Sequence, residues 1–217
     1  MIININKPVD WSSFDVVKKI KNITKHKKVG HGGTLDPFAT GVLMIGTEND
    51  TKSLSHIANT NKTYEAELTL GKTTDTLDTE GEVISEISIP DINLNFIVDI
   101  LNSFIGHQKQ SPPMFSAKKH KGVRLYKLAR KGVEVKREDI DILIKTIELI
   151  NFNGQNIKFR VECSKGTYIR VLGKDIAEKL GTIGYLTELT RTKVGEYSIN
   201  ESLSIESFME SWKSINH

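Results

Sequence analysis

Residues 30–43 read GHGGTLDPFATGVL. Three glycines and a histidine crowd in front of a single aspartate and a proline. Packing alone gives no reason to string Gly30, His31, Gly32 and Gly33 together. Asp36 followed by Pro37 is a common start for a helix or turn, because aspartate satisfies free N–H groups and proline suits the first turn. Pro37 also keeps Asp36 out of the helical region, so its carboxylate projects from a fixed turn. A cap needs no glycine before it, whereas a loop that a ligand must approach closely does. The dipeptide by itself favours a cap at Asp36, and the glycines shift the reading toward a carboxylate held open for a ligand, so both roles stand at this point. A phosphate cradle of the usual kinds is not indicated, since neither G-K-[ST] nor a strand followed by G-x-G-x-x-G is present.

Upstream, Ser12 with Asp15 three residues later, ahead of Val16, Val17, Ile20 and Ile23, predicts a capped amphipathic helix. Downstream, VLMIG predicts a short apolar strand, and YEAELTLG at 64–71 alternates with Ala66, Leu68 and Leu70 inward. A polar, turn-rich stretch follows, whose Asp75, Asp78 and Glu80 are expected in solvent. Residues 93–104 predict a helix with Phe96, Ile97, Ile100, Leu101 and Phe104 on one face. IDILIKTIELINF and QNIKFRVEC predict strands, the latter turning Ile157, Phe159, Val161 and Cys163 to one side. After the turn SKG, TYIRVL is expected to be extended before a helix that runs through Leu180 and stops at Gly181. On an extended segment Tyr168 and Arg170 share a face that looks into a cleft, with Ile169 and Val171 buried. Strands and helices mix without a βαβ rhythm, which predicts an α+β fold with a mixed, mostly antiparallel sheet flanked by helices and loops.

Charge is unevenly spread. Residues 109–137 carry ten Lys or Arg and one acid, Glu134, a net +9 in a chain of net +3, so the remainder carries −6. A second basic run, residues 18–31, has six lysines, two histidines and no acid, while 75–99 holds seven acids and no base. Such segregation points to a polyanion bound on one side. Phe115 and Tyr126 among the cations of 109–137 make a mixture suited to RNA, with Lys118, Lys119, Lys121 and Arg124 as candidate contacts. Tyr64, opening a strand, is either core or a ring that stacks on a base. Two-carboxylate hydrolysis is disfavoured, because no second acid is marked out. Arg170 is the candidate partner for Asp36, where it would favour and orient an ionised carboxylate.

The 217 residues, 38% hydrophobic and 26% charged, describe an ordinary globular composition. No apolar run approaches the roughly 18 residues of a membrane span, and the N-terminus lacks the basic and apolar regions of a signal peptide. Cys163 is the only cysteine, which excludes a disulfide framework and points to a reducing cytoplasm. The histidines at 26, 31, 56, 107, 120 and 217 lack metal-ligand spacing, so chemistry without a metal is expected.

Six stretches together resemble the TruB family of tRNA pseudouridine synthases: INKPVDWSSFDVV, VGHGGTLDPFATGVLMIGTENDTK, NKTYEAELTLG, TDTLDTEGEV, QSPPMFSAKKHKGVRLYKLARKG and GTYIRVLGKDIAEKLG. They stand in family order. The resemblance implies the pseudouridine synthase fold and isomerisation of uridine 55 in the tRNA T loop, with no cofactor. It implies Asp36 as the essential carboxylate, Tyr64 as a catalytic residue that stacks on the uracil and helps remove the C5 proton, and Arg170 paired with Asp36. Tyr168 and Leu189 would line the pocket, and His31 would fill the space of the flipped nucleotide. Residues 109–137 match a family insertion that closes over the T loop. The expected partner is the tRNA T stem-loop, with no membrane, no required protein partner and a monomeric state. One catalytic domain spanning 1–217 is expected, without the separate C-terminal RNA-binding domain of many members. The family usually has glycine where Asp10 stands, often Thr or Ser where Gly32 stands, and commonly Arg where Thr190 stands. The Gly32 departure is expected to loosen the loop, and the Thr190 departure to remove a phosphate contact. A silent RNA-binding module or tRNA-folding chaperone is the alternative, and it would need none of Asp36, Tyr64 and Arg170.

Overall fold

The computed structural model describes residues 1–215, the side chain of Ile215 excepted, so His217 lies outside the described residues. The elements run β1 (Ile2–Lys7), α1 (Ser13–Thr24), β2 (Val29–His31), β3 (Thr40–Thr47), α2 (Leu54–Ala58) and β4 (Lys62–Leu70). Next come β5 (Lys72–Thr74), β6 (Val83–Glu86), α3 (Leu94–Asn102), β7 (Gly106–Gln110), β8 (Lys119–His120), β9 (Val123–Arg124) and α4 (Leu125–Ala129). The chain ends with β10 (Ile140–Phe152), β11 (Asn156–Cys163), α5 (Ile169–Lys179), β12 (Gly184–Val194), β13 (Tyr197–Ser198) and α6 (Ile205–Ile215). It divides into two compact units: residues 1–65 with 189–217, and residues 66–188. Strands β4 and β12 each give one end to either unit.

In the first unit the strands lie in the order β1-β3-β12-β4, with β2 also on β3 and β13 on β12. β3 runs antiparallel to β1 and β2 and parallel to β12. Val42, Met44, Leu54, Ile57 and Val194 form a core cluster there. The expected capping box holds at α1: Asp15 N–H donates to Ser12 Oγ, and the Asp15 carboxylate accepts from Ser12 N–H. Val16, Val17 and Ile20 are its buried face. Asp10 has φ +63, the left-handed conformation in which glycine carries no Cβ penalty. That is the physical reason a glycine suits this position.

In the second unit the order is β12-β4-β11-β10-β7. β10 is antiparallel to both neighbours, with irregular register near Lys145 and Ile150. Ile157, Phe159, Val161 and Cys163 are all fully buried, as their alternation predicts. So are Ala66, Leu68 and Leu70 of β4. On α3, Ile97 and Leu101 turn inward, but Phe96 is 42% exposed, contrary to expectation. The helix starts at Leu94 behind its Asn93 cap, and this phase leaves Phe96 off the buried stripe. Helix α5 lies close on β12, because a Cβ at Gly173 would stand 2.8 Å from Leu186 Cδ2. That close approach needs a residue without a side chain. Among the described residues no helix is long and apolar enough to cross a membrane.

Candidate active site

In the first unit, the residues between β2 and β3 carry Asp36. Ala39 N–H donates to Asp36 O at 3.1 Å, so Asp36 and Pro37 begin a tight turn, not a helix. Asp36 itself is half-buried. Its surroundings are tied down from three sides. Ser13 Oγ, at the first position of α1, donates to Leu35 O at 3.1 Å and accepts from Leu35 N–H at 2.8 Å. Lys7 is fully buried, and its Nζ donates to the carbonyls of Pro8 (2.8 Å), Trp11 (2.6 Å) and Pro37 (3.0 Å). Arg191, 2% exposed, donates from Nε to Val42 O (2.8 Å) and from its two terminal nitrogens to Thr34 O (3.4 Å) and Gly33 O (3.2 Å).

A buried cation is tolerated only where oriented dipoles replace its hydration. Here the dipoles are backbone carbonyls, so satisfying the cation and shaping the loop are the same event. Gly41 makes this possible. It has φ +103, and a Cβ there would lie 2.2 Å from the Arg191 carbonyl oxygen. Two cations bonded to carbonyls of one loop also make it a favourable place for an anionic group. Gly32 is buried, and its N–H donates to Met44 O at 2.8 Å. The loop at Gly32 is therefore tied rather than loosened, with Leu54 packed against it. Thr190 Oγ1 pairs with Thr40 Oγ1 at 2.9 Å. His31 sits half-buried at the end of β2, while Tyr64 on β4 and Leu189 on β12 are buried.

The second unit holds Tyr168 and Arg170. The expected extended segment is corrected here: Tyr168 is the N-cap of α5, and Arg170 lies in the first helical turn. Helical spacing sends Arg170 into the interior, where it is 3% exposed. Its guanidinium lies 3.1 Å from Asp78 Oδ2 and donates to Thr76 O (2.7 Å) and Phe115 O (2.9 Å). Asp78 is correspondingly not solvated but 1% exposed, whereas Asp75 and Glu80 are exposed as expected. Asp78 Oδ1 accepts from Thr76 Oγ1 (2.6 Å) and Glu80 N–H (2.9 Å), so the acid is fixed before it meets the arginine. Gln110, at the end of β7, clamps Tyr168 by its backbone. Its Oε1 accepts from Tyr168 N–H at 2.8 Å, and its Nε2 donates to Tyr168 O at 3.1 Å.

Residues 109–137 are more ordered than their lack of periodicity suggests. Lys119 pairs with Arg124 and His120 with Val123, around a two-residue turn at Lys121 (φ +46) and Gly122 (φ +83). Two positive φ values in such a loop make the turn that fits strand twist. The hairpin leaves Lys119, Lys121 and Arg124 exposed, and Lys118 donates to Glu138 O at 3.3 Å. Arg130 lies over the Tyr126 ring, 5.6 Å from its centroid. Beside the insertion opens a cleft of about 810 Å³ bordered by Lys109, Met114, Phe115, Arg137, Val171 and Asp175. Burial, the largest influence, pushes the Asp175 carboxyl above its ordinary value.

With this geometry in view, residues 21–169 match the N-terminal domain of TruB family pseudouridylate synthases. A curated relative, tRNA pseudouridine synthase B of Clostridium tetani, is 50% identical over 209 residues, 96% of this chain and 72% of that protein. The chain belongs to the TruB family. A second relative of the same description, from Dehalococcoides mccartyi, is 44% identical over 93% of this chain and 67% of its own. Among solved structures, a Cbf5-Nop10-Gar1 complex aligns over the whole chain with a TM-score of 0.78 and 28% identity. An H/ACA RNP bound to a substrate RNA containing 2'-deoxyuridine aligns with a TM-score of 0.74 and 26% identity. This chain spans just over half the length of those two solved chains, 56% and 55%. The mixed sheet and its helices are thus the pseudouridine synthase fold.

Sequence reasoning about this TruB member missed Lys7, Asp78, Gln110 and Arg191. Two of them left a signal. Lys7 continues the alternation of Ile3 and Ile5 onto the buried side of β1, and Arg191 stands two residues beyond buried Leu189. A cation at an inward strand position announces a buried partner.

Proposed function

We propose that the chain isomerises uridine 55 in the T loop of tRNA to pseudouridine. The reaction breaks the N1–C1′ bond, turns the detached uracil and forms a C5–C1′ bond. The C5 proton leaves and N1 takes one up, so the product is an isomer of the reactant. Asp36 acts on the ribose, as nucleophile at C1′ or as base toward a ribose proton, and the uracil must stay bound until it rejoins. Tyr64 stacks on the uracil, Arg170 assists the carboxylate, and Tyr168, Leu189 and His31 shape the nucleotide's pocket. The observation that carries the reading is the half-buried Asp36, on a turn that Lys7 and Arg191 hold through its flanking carbonyls, in a TruB family chain.

The remaining parts of the reading follow the same resemblance. Residues 1–217 serve as one catalytic domain, and 109–137 grips the T stem-loop. The reaction needs neither cofactor nor protein partner and proceeds with a monomer; the single cysteine is in keeping with the cytoplasm as its place. Purified chain incubated with unmodified tRNA transcript is expected to yield one pseudouridine, at position 55. Asp36→Asn is expected to yield none while binding the transcript as before. Binding without product from the wild type would convert the assignment to an RNA-binding module or chaperone. Equal product from Asp36→Asn would remove that residue from the chemistry.

A further inference from the structure

Helix α1 buries Ser13, Val16, Val17, Ile20 and Thr24 and leaves its other face bare. On that bare face Phe14, Lys18, Lys21 and Lys25 follow one another at intervals of four, three and four residues. Those intervals place Phe14, Lys18 and Lys21 in one row along the helix, with Lys25, the left-handed C-cap, just past its end. All four are exposed, and Phe14 is 59% exposed although it is a large apolar ring. Lys18 Nζ lies 4.9 Å from the Phe14 ring centroid, so cation and ring are presented together. Just beyond the helix, Lys27 and Lys28 are exposed as well.

The acids nearby are largely occupied. Asp15 caps the helix through Ser12 and stands 3.6 Å from Lys18. Glu48 accepts the backbone N–H groups of Lys27 and Lys28. Among the described residues Lys21 and Lys25 form no ion pair. The lysines are therefore only partly compensated: Lys18 is paired with Asp15, while the charges of Lys21 and Lys25 stand open at the end of a row that runs about 10 Å from Phe14 to Lys21, at 1.5 Å of rise per residue. Its origin is fixed relative to the catalytic turn, because Ser13, one residue before Phe14, is bonded to both backbone groups of Leu35.

We infer that this α1 row is a second RNA-docking surface that takes up backbone phosphates of the same tRNA whose uridine reaches Asp36. The inference rests on the function proposed above and adds a contact surface separate from residues 109–137. Lysines supply the phosphate contacts, and Phe14 supplies a ring on which an unpaired base stacks. A helix anchored beside Asp36 lets these contacts set the register of the RNA and leave the chemistry untouched.

The test compares three proteins, each also carrying Asp36→Asn for binding measurements so that turnover does not interfere. The first has no other change. The second carries Lys18→Gln, Lys21→Gln and Lys25→Asn, the asparagine chosen because position 25 has φ +59. The third is a control that removes equal charge elsewhere, by Lys72→Gln, Lys145→Gln and Lys158→Gln. Binding of tRNA transcript is followed across salt concentrations. The α1 variant is expected to bind more weakly, with a log K against log salt slope shallower by about 2, three contacts at roughly 0.7 each. The control is expected to match the parent. In the Asp36 background, the α1 triple is expected to raise KM several-fold and leave kcat unchanged. An unchanged slope in the α1 variant overturns the inference, as does an equal change in the control. Failure of the wild type to form pseudouridine would instead overturn the proposed function, and the binding comparison would still decide this surface.

Discussion

Lys7 and Arg191 in the first unit and Lys119, Lys121 and Arg124 in the second are cations put to opposite uses. The first two are removed from water and donate to backbone carbonyls around Asp36. The other three stand on an exposed hairpin. Burial makes a cation expensive unless its donors are satisfied, and a satisfied buried cation holds its acceptors in place. Exposure makes it cheap and leaves its field available to a polyanion, screened by salt. Charge count alone therefore does not separate cations that build the fold from cations left open to a polyanion. Position relative to the core does.

The largest effect should come from the buried side of this comparison. Arg191→Met removes three hydrogen bonds and leaves loop carbonyls at Gly33, Thr34 and Val42 without that donor. Bonds to charged groups of this kind are worth about 1.5–3 kcal/mol each before compensation, so a net loss of about 2–4 kcal/mol is expected. For a chain of this size that is a Tm lower by about 10 °C. Below the new melting range, kcat for pseudouridine formation should fall while tRNA binding changes little. Arg191→Lys should recover part of both. A variant with normal Tm and normal kcat would show that the loop keeps its shape without the guanidinium.

On the exposed side the signature should invert. Neutralising Lys118, Lys119 and Lys121, with Asn at position 121 to suit its positive φ, should raise KM for tRNA more than it lowers kcat. The salt dependence of binding should become shallower by about 2, and Tm should stay within about 1–2 °C. A lower kcat with unchanged KM would argue that the hairpin shapes the reaction instead of gripping RNA, and would break the contrast.

Much of this was legible from residue patterns, and the exceptions have physical causes. Alternation placed β4 and β11 correctly because β11 turns Ile157, Phe159, Val161 and Cys163 to one side and β4 does the same with Tyr64, Ala66, Leu68 and Leu70. The Ser12–Asp15 spacing placed the start of α1 because both groups bond locally. Asp36 was legible as a turn for the same reason: its proline partner is the next residue. Asp78 was not, because its burial depends on Arg170, ninety-two positions away, and a run of Asp, Thr and Gly reads as solvated until that partner is known. Arg170 itself was misplaced because TYIRVL suits a strand locally, whereas packing of Gly173 and Leu186 draws the segment into a helix. Gln110 left no signal at all, since its two bonds go to a backbone fifty-eight residues away.

The smallest expected effect concerns an anion, Asp175, that is half-buried and whose burial outweighs the help of its neighbours. Burial raises the Asp175 carboxyl above its ordinary value of 3.8, and neighbouring Lys174 opposes this only in part. The folded chain therefore holds that proton more tightly than the unfolded chain does. The stability linked to this group is fully present below the ordinary value and is lost as pH rises through the raised one. Asp175→Asn removes the penalty of ionisation. It should melt slightly above the wild type at pH 7, by no more than about 2 °C, and the gap should shrink as the pH is lowered toward 4. A gap that widens in acid would mean the carboxylate is stabilised where it lies, and Asp175 would then belong with the satisfied buried charges.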